Sequence, residues 1–298
     1  MFLYRFCTHY THTNHIYTQS RAHAVILACR SVERGTALKN AIIEQQGVVN
    51  KATIDVIQLD LSSLHSVRAF AQTFLATGLP LHILINNAGI FSMSAPRCET
   101  VDGFESHIGT NHLGHFLLTL SLMPALRAGS AATSIPSRIV NVSSKLHLMG
   151  RIRREDPNVK TRYHSLAAYA QSKLAQVCFA AELTRRCANT NDHRVVAVAV
   201  HPGEVVTDVV RSLPGPLQKL YALVMGYILL TPAEGARSSV FAATSPRVIE
   251  DVAFKGKCYI DSSCVAIPPA REAEDVKTAA WLWEWSAKAV QLKPEQDI

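Results

Sequence analysis

AVILACR, residues 24–30, is a run of five apolar residues that closes on Cys29 and Arg30. A strand with one wet face alternates apolar and polar residues. An unbroken apolar run of strand length reads instead as a strand covered on both faces. The pattern recurs outward from it, in TIDVIQL (53–59), LHILIN (81–86), SRIVNVS (137–143) and RVVAVAV (194–200), with a short KCYI (257–260) last. Between these runs the apolar spacing turns helical, over 31–46, 63–77, around 100–127 and 166–187. Buried strands joined by crossover helices make a parallel sheet with helices on both sides.

The expected fold is therefore α/β, a doubly wound, mostly parallel sheet in a Rossmann-like three-layer sandwich. No linker or shift of composition divides residues 24–298, which read as a single domain following an atypical N-terminal segment, 1–23. At 298 residues, 48% of them apolar, the chain can bury a substantial core. No apolar stretch reaches the length of about 18 residues that a transmembrane helix needs. LYALVMGYILL (220–230) reads as a core or substrate-lining helix. Seven scattered cysteines without CxxC spacing suit reduced thiols and a cytoplasmic location. A net charge of +7 with no run of five basic residues argues against a nucleic-acid partner, and the densest cluster, RIRRE (151–155), reads as a solvated loop. His9, His12 and His15 lack a helix to bring them together, and no metal site is expected.

Ligands of such folds bind beyond the carboxyl ends of the strands. Polar residues follow five of those ends here: Arg30, Asp60, Asn86-Asn87, Ser143-Ser144 and His201-Pro202-Gly203. The sharpest local signal is AYAQSK, in which Tyr169 and Lys173 stand four apart, on one face of a helix. A phenol ionises near ~10, and a neighbouring ammonium favours the phenolate, which would turn a poor base into a usable one. Alone, a Tyr-x-x-x-Lys pair is most often an ordinary exposed helix pair. In company with INNAG (85–89), NHLGHF (111–116) and RIVNVSS (138–144) it is not.

With those motifs the sequence resembles the short-chain dehydrogenase/reductase family. NNAG, NHLGHFLLT, RIVNVSS, AYAQSKLA and HPGEVVT follow the family's order and spacing from residue 24 to about 265. ILACR, LDLSS, TPAEGA and LWEWSAKAV look most like its retinol-dehydrogenase-like and WW-domain-oxidoreductase-like members. The resemblance implies catalysis by Asn111, Ser144, Tyr169 and Lys173. Tyr169 would be the general acid or base, and Lys173 would assist it and hold the nicotinamide ribose. Ser144, rather than Ser143, would bind the substrate oxygen, and Asn111 would hold a water that links Lys173 to solvent.

It also implies cofactor contacts from Asp60 and Leu61 at the adenine, from Asn87, Ala88 and Gly89, and from Pro202, Gly203 and Thr207. Arg30 ends the second strand of the family's fold, where an arginine suits the 2′-phosphate of NADP and an acid would suit NAD. The expected cofactor is NADP in preference to NAD. The expected reaction interconverts an alcohol with an aldehyde or ketone, the substrate lipophilic (a retinoid, steroid or fatty aldehyde), under an apolar lid at 205–230. Family members often form homodimers through the helices that include the tyrosine-bearing one. The family's TGxxxGxG turn, which holds the pyrophosphate, has no match in residues 1–23, and the first glycine is Gly35. From the resemblance, that segment is expected not to be a native family start. The first strand and glycine turn would be absent or divergent, with a truncated, catalytically impaired non-enzymatic protein as the alternative function.

Overall fold

The apolar runs become strands whose successive side chains divide between two cores. The computed structural model describes residues 2–5, 24–46, 53–91, 96–190, 192–203 and 231–298. Its strands are β1 (Phe2–Arg5), β2 (Ala24–Cys29), β3 (Thr53–Gln58), β4 (Ile83–Asn86), β5 (Ser137–Val142), β6 (Val195–Val200) and β7 (Tyr259–Ile260). They form one seven-stranded sheet in the order β3-β2-β1-β4-β5-β6-β7, and every neighbouring pair is parallel.

On β2, Val25 and Leu27 join one core while Ile26 and Ala28 join the other; on β6, Val196 and Val198 likewise oppose Ala197 and Ala199. This period of two is the geometry of a pleated strand, and burial on both faces explains why β2, β4, β5 and β6 do not alternate; β3, at the sheet edge, leaves Thr53, Asp55 and Gln58 exposed. The first core is covered by α1 (Val32–Gln46), through Leu38 and Ile42. Ala242 and Ala243 of α6 (Pro232–Thr244) and Val248 and Val252 of α7 (Pro246–Lys255) complete that cover. The second core holds Val67, Phe70 and Phe74 of α2 (Leu64–Ala76), Phe116 of α3 (Gly114–Ser121) and Leu126 of α4 (Met123–Thr133). It also holds Leu174 and Phe179 of α5 (Ser165–Asn189), and Leu282 and Trp283 of a last long helix over Val276–Ala289. The result is the three-layer sandwich expected.

The first-strand place, between β2 and β4, is taken by Phe2–Arg5. Leu3 stands opposite Ile26 on one side and Leu84 on the other. The central ladder is therefore continuous, with FLYR as its material. The strand order reverses between β1 and β4, the switch point at which such sheets form their ligand crevice. Residues 6–23, 204–207 with the expected contact Thr207, and 208–230 with the rest of the expected lid lie outside the described residues.

The long helix expected around 100–127 is three pieces. Glu99 and Glu105 form an antiparallel bridge, closed by Thr100 N–H donating to Phe104 O at 2.7 Å. A π-helical turn then spans Ile108–Leu113 and runs into α3. The chain breaks at Leu122, and Pro124 opens α4 in its first turn, where its missing N–H leaves no bond unmade. Among the described residues, no helix is long and apolar enough to cross a membrane.

Candidate active site

The site grows from the carboxyl ends of β4 and β5 and from one face of α5. Lys173 is buried, and its ammonium donates to Val142 O, the last residue of β5, at 2.9 Å. One turn earlier on the helix, the half-buried Tyr169 lies with its ring centroid 5.7 Å from Lys173 Nζ. Two neighbours flank that ring, Phe91 at 4.4 Å and the edge of His107 at 5.9 Å.

Asn111 lies in the π-helical turn, fully buried. Its Oδ1 accepts from Ile90 N at 2.8 Å, and its Nδ2 donates to Ile90 O and to Ser172 Oγ, each at 3.0 Å. The side chain thus fastens the loop after β4 to α5. Its carbonyl meets Gln176 Nε2 and, at 2.9 Å, His115 Nδ1. Such turns often mark functional sites, because the extra residue re-aims a side chain. Gly89 completes the loop. A Cβ there would come within 3.1 Å of Asn111 Oδ1 and 3.2 Å of Lys173 Nζ, so a bare backbone lets the loop lie against both groups.

The two serines after β5 differ. Ser143 is buried and its hydroxyl donates to Lys173 O at 2.8 Å, tying the strand to the helix. Ser144 is partly exposed, and its Oγ accepts from Leu146 N at 3.3 Å as the cap of a short 3-10 turn, Lys145–Met149. Ser143 is thus taken up in packing, and Ser144 is the serine with solvent access.

The groups expected to hold a dinucleotide line the other strand ends. Arg30 is exposed at the end of β2, its carbonyl accepting from Gln58 Nε2 at 3.3 Å. The Asp60 carboxylate accepts from Ser62 N at 3.0 Å and from Ser62 Oγ at 2.8 Å, so it shapes its own turn. Leu61 has its side chain in the core, its carbonyl against Gly114, so any contact with an adenine would come from its backbone. Asn87 Nδ2 is buried without a partner among the described residues, a donor waiting for an acceptor, and Ala88 beside it is buried. Gly203, after the half-buried Pro202, has φ +91°, a conformation that favours glycine. Exposed guanidinium, unpaired amide and close-lying glycine fit a phosphate- and ribose-bearing cofactor.

Sequence reasoning did not single out the Glu105–His107 pair. Glu105 is fully buried. Its Oε1 accepts from His107 Nδ1 at 2.8 Å and from His107 N at 3.0 Å, and its Oε2 accepts from Ile108 N at 3.0 Å. Burial alone would raise this carboxyl, but those hydrogen bonds and the His107 charge hold it below the ordinary range. His107, His112 and His115 do not converge: His112 Nε2 meets Ser286 Oγ at 2.7 Å, and His115 turns to the Asn111 carbonyl. In RIRRE, Arg153 pairs with Asp156 and Arg154 with Asp275, each at 3.6 Å.

A family model described as short chain dehydrogenase matches residues 17–216. Retinol dehydrogenase 12 of Mus musculus is 39% identical over 281 residues, which cover 92% of this chain and 81% of that protein. Polyprenol dehydrogenase of Mus musculus is 40% identical over 259 residues, covering 87% of this chain and 74% of that one. Among solved structures, an uncharacterised protein from Mycobacterium paratuberculosis superposes with a TM-score of 0.73 at 31% identity, over 97% of this chain and 92% of its own. Motif order, sheet order and these relatives agree: the chain belongs to the short-chain dehydrogenase family, in its retinol-dehydrogenase-like branch.

Proposed function

We propose that the chain is an NADP-dependent oxidoreductase that interconverts a lipophilic alcohol and the corresponding aldehyde or ketone. The observation that carries the reading is the Lys173 ammonium beside the Tyr169 ring, against the loop held by Asn111 and Gly89. Tyr169 gives its phenolic proton to the carbonyl oxygen in reduction, or takes the hydroxyl proton in oxidation. The Lys173 charge stabilises the phenolate as it forms. Ser144 donates to the substrate oxygen and stabilises the charge that gathers there. Asn111 shapes the loop by its side chain and, through a water, passes protons between Lys173 and solvent. A bound nicotinamide dinucleotide supplies the reducing equivalent for the carbonyl carbon, or accepts it from the alcohol.

Arg30 supports NADP over NAD, since its exposed guanidinium suits a 2′-phosphate. Asp60 and the Leu61 backbone take the adenine side; Asn87, Ala88 and Gly89 take the ribose side; Pro202, Gly203 and Thr207 take the nicotinamide side. Three features support a lipophilic substrate: the apolar segment expected as a lid over 205–230, exposed Ile90, Leu148 and Met149 close to Asn111 and Ser144, and relatives named for retinol and polyprenol. Free Cys98, Cys178, Cys187, Cys258 and Cys264 support a reducing, cytoplasmic compartment, and α5 is the proposed seam of a homodimer.

One feature favours a second reading, a protein that keeps the fold without turnover. Residues 6–23, between β1 and β2, contain no glycine to bring a backbone against a pyrophosphate. Oxidation of NADPH in the presence of retinal and of long-chain aldehydes separates the two. The first reading expects turnover that falls on the order of a thousandfold or more in Tyr169→Phe. A folded wild-type chain as inactive as Tyr169→Phe across these aldehydes supports the second.

A further inference from the structure

We propose that His147 and His201 are positioning residues that fix the Ser144 hydroxyl for the substrate oxygen. The inference rests on the reading of Ser144 given above. Ser144 is extended, at φ −152° and ψ 155°, between the buried β5 and the 3-10 turn that follows it. Where its side chain points depends on the peptide plane that joins it to Lys145. That plane has two handles, the Ser144 carbonyl and the Lys145 amide, and a different histidine holds each. His147 Nδ1 donates to Ser144 O at 2.8 Å, and Lys145 N donates to His201 Nδ1 at 3.2 Å.

The two rings carry opposite tautomers, and their surroundings set both. His147 Nε2 accepts from Ala270 N at 3.3 Å, so its proton sits on Nδ1, where Ser144 needs a donor. His201 accepts at Nδ1, so a neutral ring carries its proton on Nε2. Each histidine is anchored in turn. His147 is fully buried with its ring 4.6 Å from that of Tyr259 on β7. His201 continues β6, its amide donating to Ile260 O at 2.9 Å and its carbonyl accepting from Ser238 Oγ at 3.1 Å.

A charged ring would undo the arrangement, because imidazolium has no acceptor for Lys145 N or Ala270 N. Burial disfavours the charged form of both rings. It pushes His201 down to about 4, with His147 and the Lys145 charge adding to the effect and Asp261 opposing it. His147 is lowered by burial too, against the hydrogen bond to Ser144. The device acts on Ser144 through the backbone, and neither ring needs to touch the substrate.

The test uses the full chain and two substitutions at one site. His201→Asn keeps an acceptor, its Oδ1, where Nδ1 stood, and His201→Leu removes it. With NADPH and an aldehyde substrate, His201→Leu is expected to lose on the order of ten- to a hundredfold in kcat/KM. NADPH affinity should be unchanged, and His201→Asn should recover most of the loss. Protection of the Lys145 amide from hydrogen exchange should be lost in His201→Leu and retained in His201→Asn. Equal kcat/KM in wild type and His201→Leu overturns the proposal, as does a common loss of activity, NADPH affinity and melting temperature in both variants. The exchange measurement does not need turnover. A wild-type chain that shows the amide pattern but no activity keeps the clamp and refutes the enzymatic reading instead.

Discussion

His112 sits in the π-helical turn beside Asn111, fully buried, with its ring centroid 5.9 Å from Phe116 and 6.2 Å from Phe179. Its Nε2 pairs with Ser286 Oγ, while its Nδ1 is buried without a partner among the described residues. With aromatic walls and, among the described residues, no carboxylate that offsets the charge, burial pushes the imidazole down to about 3. The folded value lies below the unfolded one, so the unfolded chain takes up the proton first as the solution is acidified. The stability that neutral His112 contributes is complete above about pH 6.5 and drains away below it, at about 1.4 kcal/mol per pH unit. Between about pH 6.5 and 5 the loss is on the order of 2 kcal/mol, a large share of the roughly 5–15 kcal/mol that holds a domain together. His112→Gln removes the titration and keeps an amide near Ser286. Urea unfolding of both chains across that interval isolates the effect, because His107, His115, His147 and His201 are common to both and cancel. The variant should lose about 2 kcal/mol less than the wild type on acidification. Parallel curves would refute the claim that burial alone keeps His112 neutral.

Two further substitutions probe the frame and the site. Gly129 of α4 lies against the chain entering β4: an added Cβ would be 2.0 Å from Leu81 O, a backbone atom that cannot swing aside. Gly129→Ala should therefore destabilise by about 1–3 kcal/mol or more, read as a fall in melting temperature. Glu105→Leu strands His107 Nδ1 and the amides of His107 and Ile108. It should cost about 3–5 kcal/mol in urea unfolding. A loss under 1 kcal/mol would mean those donors find other partners.

Legibility in the sequence followed the range of the interactions involved. β2, β4, β5 and β6 were plain, because burial on both faces leaves a local signature in every residue of the run. The pairing of Tyr169 with Lys173 was legible for another local reason, since one helical turn sets their spacing. The π-helical turn was not. It depends on the Asn111 side chain finding Ile90 and Ser172, 21 and 61 positions away, and on Glu105 turning its carboxylate to the amides that open the helix. Ser144 and Ser143 could be told apart only by spacing to Tyr169, whereas the structure separates them by what Ser143 holds. FLYR is four residues long and is followed by Thr, His and Asn, with no helical pattern to identify it as a central strand. Its place follows from the ladders on either side.

The central claim is that these strand ends hold a phosphorylated nicotinamide dinucleotide. Fluorescence titration of the whole chain with NADPH and with NADH tests it directly, alongside Arg30→Asp. The account expects micromolar NADPH binding, weaker NADH binding, and a preference that moves toward NADH in Arg30→Asp. A folded chain that binds neither nucleotide would contradict it.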